Sequence, residues 1–356
     1  MILTKRTTRL TANRVSDYLF EAISREEGAD LTTAMFIIGR EHFLGRNPSY
    51  YTSLSVNHLQ ALYKKVSRDI RDRHFREAPR DNRSSIESDL PDYIEKKGQA
   101  RYVGSPFRPT HQTVSYLVTA LEDSLNIAET LKPTTNNSID KLMRIHNCMS
   151  RYTAFLIAYS TGFRDIRDPF LSSAEIDWDS GFAVLSDKDS EDGYNSRLIW
   201  LPPVCLKQLQ LYRQHLQNAL YRFNILIPGF YSMLDQPRRD ANAPGCYMFF
   251  AKFNENRHEL DAVTLRSVLL ANRSLYSVYA LPFNASRHYL RSSLLERKCP
   301  IEVINAFMGH FERGEEPWGA YSGLSPIHYR NALKDKLVPL LNDDGWKALP
   351  GLSVQL

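Results

Sequence analysis

The sequence predicts a mainly α-helical protein with a small antiparallel β-sheet, an α+β fold in which an all-helical first domain precedes a mixed second one. Apolar residues recur at the spacing of amphipathic helices over most of the chain. Only residues 175–201 carry short strand-like segments around a polar turn. At 356 residues, the chain is long for one hydrophobic core and suits two.

The N-terminal region is predicted to hold three helices, over residues 12–27, 31–42 and 56–77. The third helix is amphipathic, and one of its faces is basic. Three residues form this basic face: Lys64, Arg68 and Arg71. Such a face suits contact with DNA phosphates, but it is also typical of an ordinary solvated helix surface. The three residues are therefore DNA-binding candidates with both interpretations open.

A linker is predicted within residues 78–109, which are rich in Pro, Gly, Ser and alternating charge and contain few periodic apolar positions. The domain boundaries that we assign are 1–100 for the helical domain, 101–112 for the linker, 113–341 for the second domain and 342–356 for a tail.

The second domain is predicted to open with helices over residues 111–131 and 138–161. The second of these contains the apolar run YTAFLIAYS, which indicates a buried helix. The segments GFAVLSD and SRLIWLP in residues 175–201 then predict two strands, joined by a hairpin with the polar tip SDKDSEDGYN.

Helical spacing returns from Pro203 onward. Residues 227–253 are rich in Pro, Gly and aromatic side chains, which predicts an insertion or a long loop, and residues 212–261 receive no role. A last amphipathic helix is predicted over residues 326–341, with Pro339 and the later Pro-Gly pair marking its end and the start of the tail.

Composition narrows the class of protein. The chain is 43% hydrophobic and 24% charged, a composition that excludes a wholly disordered protein. Its formal charge of +5 favours a polyanionic partner without establishing one. The four cysteines form no CxxC pair, so free thiols in a reducing compartment are expected. The first residues lack the apolar core of a secretion signal, and no apolar run approaches about 20 residues, so we expect a cytoplasmic protein.

Four separated segments carry candidate chemistry: STGFRDIRD at 160–168, Lys188 in the hairpin, SRHYLRSS at 286–293 and MGHFERGEEPWGAYSG at 308–323. In this order and spacing they resemble the tyrosine recombinase family, the phage integrase and Xer-like proteins. The family motifs are TG-x-R, a hairpin lysine, H-x-x-R, GH and a late tyrosine. The resemblance covers residues 138–341 and implies that these form a tyrosine-recombinase-like catalytic domain.

The resemblance assigns a role to six residues. It implies that Arg164 is the first arginine, Lys188 the hairpin lysine, His288 and Arg291 the H-x-x-R pair, His310 the second histidine and Tyr321 the nucleophile. It also implies that the N-terminal domain closes on duplex DNA together with the catalytic domain.

Each role has a chemical reason. Cleaving a phosphodiester without a metal or cofactor requires fixed cations for the charge that develops on the phosphoryl oxygens, and guanidinium groups supply them. A tyrosine hydroxyl has a pKa near 10 and needs a base such as His288. The departing 5′-oxygen needs a proton, which Lys188 can donate as general acid. His310 would add a hydrogen bond to the phosphate.

Two questions stay open at the level of sequence. Tyr329 is a second candidate nucleophile, although Tyr321 is favoured because it precedes the C-terminal helix, as the nucleophile of the family does. A catalytically silent DNA-binding protein of the same fold and a nicking-closing enzyme of the type IB topoisomerase sort are the rival functions.

The resemblance also implies partners. The expected partners are double-stranded recombination sites and three further copies of the chain in a synaptic tetramer. Whether an accessory factor sets the direction of the reaction is a question that the sequence leaves open. Integration or excision of a mobile element, in the nucleoid of a bacterial cell, is the expected setting. Neither a metal nor a membrane is expected to take part.

Overall fold

The structure of the protein is a computed structural model, which describes residues 11–74, 101–130, 138–164, 176–186, 196–233, 249–254, 257–262, 284–311, 316–320 and 322–353. The chain divides into two compact units. The first comprises residues 1–106 and 295–301, and the second comprises residues 107–294 and 302–356. The return of residues 295–301 to the first unit is a feature that local sequence patterns do not reveal.

The first unit contains four helices and two short strands among its described residues, besides the end of a helix that begins in the second unit. They are α1 (Ala12–Ser24), α2 (Leu31–Ile38), α3 (Arg46–Tyr51), β1 (Ser53–Ser55), α4 (Val56–His74) and β2 (Tyr102–Gly104), with a 3₁₀ turn at Phe43–Gly45.

Local capping explains where α1 and α2 begin and end. The hydroxyl of Thr11 accepts from the backbone N–H of Arg14 at the start of α1. At α2 the carboxylate of Asp30 accepts from the Thr33 N–H at 2.8 Å while the Thr33 hydroxyl reaches back, a complete capping box. Gly39, with φ of 73°, ends α2 before the residue 42 predicted from periodicity.

The core of the first unit confirms the amphipathic pattern of α4. Leu62 and Val66 are buried against Ile23 of α1 and Ala34 of α2. Burying these apolar side chains holds the three helices together.

The prediction of an all-helical first domain is wrong in one respect, because β1 and β2 form an antiparallel ladder that pairs Leu54 with Val103. Strands of three residues are too short for the alternation of apolar and polar residues to be recognised in the sequence. Their pairing requires Gly104, where φ is 112° and a Cβ would lie 2.2 Å from the Thr52 carbonyl oxygen.

The second unit contains helices and two further hairpins among its described residues. They are α5 (His111–Thr130), α6 (Ser138–Thr161), β3 (Phe182–Ser186), β4 (Ser196–Trp200), α7 (Pro203–Leu226), β5 (Phe249–Asn254), β6 (Arg257–Ala262), α8 (Ala285–Glu296), α9 (Ile301–Met308) and α10 (Pro326–Asp343), with a 3₁₀ turn at Phe230–Met233. The fold is thus mainly helical with small antiparallel sheets.

Helix α6 is the buried centre of this unit, as its apolar run predicts. Every residue of α6 from Tyr152 to Thr161 is buried. Both α5 and α7 pack against it. Its C-terminal end therefore lies in the interior, which is where the TG-x-R segment begins.

The predicted hairpin is present, with β3 and β4 antiparallel and Phe182 opposite Trp200. Part of the predicted loop at 227–253 is instead the start of a second hairpin, β5–β6. Asn147 of α6 binds this hairpin through both atoms of its amide, donating to the Ala251 carbonyl and accepting from the Ala251 N–H, each at 2.8 Å. A single side chain in mid-helix thus fixes a hairpin far away in the sequence.

Helix α10 continues through Pro339 to Asp343, so the prediction that this proline marks the helix end is wrong. Proline removes only one backbone donor, and the flanking residues Leu337, Leu340 and Leu341 are buried and hold the last turn in place.

After α10 the chain forms a segment that we name the C-terminal strap, residues 346–353. Its backbone is bound by side chains of α6 and α7: the Leu349 N–H donates to Gln208 at 2.8 Å, the Leu352 N–H donates to His215 at 3.0 Å, and the Lys347 carbonyl accepts from Tyr152 at 2.7 Å. Residues 346–353 of the predicted tail are therefore bound to α6 and α7 within the second unit.

Two simpler features complete the description. Among the described residues no helix is both long and apolar enough to cross a lipid bilayer. Three of the four cysteines are described, and no disulfide joins Cys148, Cys205 or Cys299 to another described residue.

Candidate active site

Three chain segments that are far apart in sequence meet in the second unit. Helix α6 ends at Gly162, whose φ of 60° turns the chain toward Arg164. Helix α8 carries Arg287 and His288 at adjacent positions and Arg291 one turn further on. Helix α9 ends at Gly309, in the left-handed region at φ of 64°, and delivers His310.

His310 lies between two guanidinium groups. Its Nε2 is 3.2 Å from a terminal nitrogen of Arg287, and its Nδ1 is 3.3 Å from a terminal nitrogen of Arg291. A neutral imidazole has one acceptor nitrogen, so His310 accepts from only one of these arginines at a time. The other ring nitrogen then carries the proton of the neutral ring.

Arg287 holds the three segments together. Its guanidinium donates to the Gly162 carbonyl at 2.9 Å and also to the Met308 carbonyl. The side chain is 1% exposed. Because these carbonyls close α6 and α9, one buried arginine fixes the chain just before both Arg164 and His310.

Arg197 of β4 makes a second bond of the same kind. It donates to the Thr161 carbonyl at 3.0 Å and to the Phe307 carbonyl, and its guanidinium lies over the Phe307 ring. Its Cδ lies so close to Gly309 that a Cβ there would come within 3.2 Å. The β3–β4 hairpin is thereby attached to the same two helix ends.

Arg291 is completely buried and binds two neighbours through one terminal nitrogen. That nitrogen donates to the Asn305 side chain at 3.1 Å and faces His310. Arg291 therefore stands on α8 one turn beyond Arg287, on the other side of the histidine ring.

His288 is buried against the edge of the Phe107 ring, with ring centroids 5.6 Å apart. Burial, with a smaller contribution from the charge of Arg287, lowers the pKa of His288 to about 4. The imidazole is neutral at pH 7, the state that a proton acceptor needs. An arriving phosphate would raise this pKa, because a nearby anion favours the charged ring.

The electrostatics around His310 are positive. Burial lowers its pKa well below 6.5, and the charges of Arg287, Arg291, Arg164 and Arg197 lower it further, in that order. Arg164 is half-buried, so it is the most exposed of the four. The constellation concentrates positive charge and N–H donors at one place, which is the chemistry that binds an anion.

Two of the six predicted residues, Lys188 and Tyr321, lie outside the described residues. The structure nevertheless decides against Tyr329 as the nucleophile. Its side chain is 0% exposed and its hydroxyl donates to the Leu198 carbonyl at 2.8 Å. A phenol that is buried and bonded in this way cannot reach a substrate.

Sequence reasoning missed Arg287 and the role of Arg197. The HxxR pattern singles out residues at i and i+3, and nothing in it indicates that the arginine immediately before the histidine also faces His310. The one local signal for Arg287 was its spacing from Arg291. The two are four residues apart, so both side chains lie on the same side of a helix.

Among the described residues no group of three or more His, Cys, Asp and Glu side chains is arranged to hold a metal ion.

A second surface concerns the first unit alone. Lys64 and Arg68 are exposed and Arg71 is half-buried on α4, opposite the buried Leu62 and Val66. The predicted basic face is thus a real feature of the helix surface, and its contact with DNA stays a prediction.

Comparison with known proteins adds no relative: no protein-family model, no curated protein and no solved structure matches this chain.

Proposed function

We propose that the protein is a site-specific DNA recombinase that cleaves and rejoins DNA through Tyr321. One observation carries the proposal. Arg164, Arg291 and His310, named from three separate sequence motifs, belong to one positively charged cluster, and His288 lies beside Arg287 on the helix that supplies Arg291. Convergence of residues named for a shared phosphate chemistry is what a single site for that chemistry requires.

The cluster supports a metal-free phosphoryl transfer. Arg164 and Arg291 stabilise the charge on the non-bridging oxygens, and His310 donates its ring proton to the same phosphate. His288 accepts the phenolic proton as the Tyr321 oxygen attacks phosphorus.

The protons balance in this scheme, and the phosphotyrosyl link retains the energy of the phosphodiester bond. The bond to the 5′-oxygen breaks as the phosphotyrosyl bond forms, and Lys188 protonates the leaving oxygen. The product is a 3′-phosphotyrosyl link, which a 5′-hydroxyl of another strand attacks in the reverse reaction. No nucleotide hydrolysis is needed, and transfer between two duplexes would serve integration or excision of a mobile element.

We also propose roles for the N-terminal unit and for a tetramer of the chain. The basic face of α4 would contact phosphates of the duplex, and exchange between two sites would take place in a tetramer of this chain. An accessory factor would set the direction of the reaction.

Covalent capture tests the proposal. Duplexes that the protein binds are enriched from a randomised library, nicked next to each candidate scissile phosphate, and incubated with protein in EDTA. We expect a protease-sensitive adduct on a denaturing gel for the wild type and for Tyr221→Phe, a matched change at a tyrosine that is 65% exposed on α7. Tyr321→Phe should form none.

Other outcomes select a rival function. Tight, sequence-selective binding without any adduct would establish a catalytically silent DNA-binding protein. An adduct together with relaxation of supercoiled plasmid, but without strand exchange between two sites, would establish a nicking-closing enzyme.

A further inference from the structure

A cluster of aromatic side chains joins three parts of the second unit: α10, residues 316–320 and the β3–β4 hairpin. Tyr329 of α10 stands at its centre, fully buried. The Trp318 ring meets it edge-on at 5.1 Å and the Phe182 ring stacks on it at 6.4 Å, while its hydroxyl donates to the Leu198 carbonyl. We call these four residues the aromatic clamp.

The clamp holds the segment that leads into the proposed nucleophile. Residues 316–320 form consecutive turns, with the Gly319 N–H donating to the Glu316 carbonyl and the Ser322 N–H donating to the Gly319 carbonyl, both at 3.0 Å. Trp318 is the side chain by which this segment contacts Tyr329, and it precedes Tyr321 by only three residues.

The clamp also holds both strands of the β3–β4 hairpin. Phe182 belongs to β3 and Leu198 to β4, and in sequence Lys188 lies between these two strands. Leu198 is the immediate neighbour of Arg197, which is bonded to the ends of α6 and α9. Tyr329 thus contacts both the hairpin strands that flank Lys188, the proposed general acid, and the segment that precedes Tyr321, the proposed nucleophile.

We propose that Trp318 and Tyr329 are positioning residues. Trp318 positions the segment that precedes Tyr321 for nucleophilic attack, and Tyr329 positions the hairpin in which Lys188 lies in sequence for protonation of the leaving oxygen. This inference rests on the proposed function. The Trp318 contact acts on the nucleophile, and the Tyr329 hydroxyl acts on the hairpin, so the two substitutions have different chemical consequences.

The test uses the full chain and two nicked duplexes that differ at one atom. In one the leaving group is the natural 5′-oxygen, and in the other it is sulfur, which departs without needing a general acid. Trp318→Ala is expected to slow single-turnover adduct formation roughly 10- to 100-fold on both duplexes, since it misplaces the nucleophile. Tyr329→Phe is expected to slow cleavage of the oxygen duplex and to regain the wild-type rate on the sulfur duplex.

Controls separate positioning from loss of fold. Trp318 is 36% exposed, so its removal should leave the thermal midpoint and DNA affinity at wild-type values, and Trp318→Phe should restore most of the rate because it keeps the edge-on ring. Trp178→Ala, at a half-buried tryptophan that lies over Arg213 instead, should cleave both duplexes normally.

Hydrogen exchange distinguishes failure of the clamp from failure of the proposed function. Tyr329→Phe should speed exchange in peptides spanning 196–200, and Trp318→Ala should speed it in peptides spanning 316–320, with or without DNA. Unchanged exchange there, or wild-type cleavage rates in Trp318→Ala, would overturn the clamp and leave the recombinase proposal standing. Absence of any wild-type adduct would overturn the proposed function, and the positioning role with it, whatever the exchange data show.

Discussion

The guanidinium of Arg287 donates to the carbonyl oxygen of Gly162 at 2.9 Å, which joins the first turn of α8 to the end of α6. The same side chain reaches the Met308 carbonyl and the ring of His310. A residue that the HxxR pattern passes over is therefore, together with Arg197, a physical link between the two segments that carry Arg164 and His310.

Replacing Arg287 should destabilise the second unit. Arg287→Met keeps much of the volume but leaves the carbonyls of Gly162 and Met308 buried without this donor, which should cost about 2–5 kcal/mol of unfolding free energy. Denaturant unfolding measures it. Lys334→Met, at an exposed lysine of α10, should change stability little, and equal losses in the two variants would contradict the role of Arg287.

Acid should destabilise the protein through its buried histidines. Burial lowers the pKa of His288 to about 4, and it lowers the pKa values of His215 and His310 well below 6.5. Because the unfolded chain takes up these protons first, stability is complete above pH 6.5 and falls as the pH drops toward 4. Each of these histidines contributes up to about 1.4 kcal/mol per pH unit where only the unfolded chain is protonated.

Thermal midpoints measured between pH 7 and 4 test this dependence. His288→Gln should show a shallower decline than the wild type. His328→Gln provides the control, since the side chain of His328 is 54% exposed and its loss should leave the slope unchanged. A wild-type midpoint that stays flat down to pH 4 would contradict the prediction.

The C-terminal strap should be sensitive to one methyl group. A Cβ at residue 351 would lie 2.6 Å from the Cβ and Nδ1 of His215, so Gly351→Ala must displace the strap or the ring. The expected loss is about 1–3 kcal/mol of unfolding free energy. Gly323→Ala is the matched control, because a Cβ there meets nothing within 4 Å, and similar losses for both would refute the close approach of residue 351 to His215.

The basic face of α4 should show itself in the salt dependence of DNA binding. Lys64→Gln and Arg71→Gln are each expected to weaken binding and to reduce the slope of log affinity against log salt by about 0.9 for every phosphate that the variant no longer neutralises. Fluorescence anisotropy at several salt concentrations measures this. Arg25→Gln, at an arginine beside α1 whose side chain is 78% exposed, should bind as the wild type does; equal slopes in all variants would make the α4 face an ordinary solvated surface.

Periodicity by itself predicted the helices whose buried face is visible as an apolar pattern in the local sequence. Residues 138–161 form one helix with the predicted bounds, because its apolar run leaves no alternative to burial. The amphipathic pattern of α4 and the β3–β4 hairpin were predicted for the same reason, since one face of each is apolar in the sequence itself. The six candidate residues were likewise named from motif order alone, and the activity assigned to them stays a prediction.

Contacts between distant residues could be decided only by the tertiary structure. The β1–β2 ladder, the paired bonds between Asn147 and Ala251 and the persistence of α10 through Pro339 each depend on a partner that no local window contains. The same holds for the site: sequence named His288 and Arg291 as a pair, but whether Arg287 or Arg291 faces His310 depends on how α8 is rotated against α9. That rotation is set by packing across the whole unit, and the structure places both arginines against the ring.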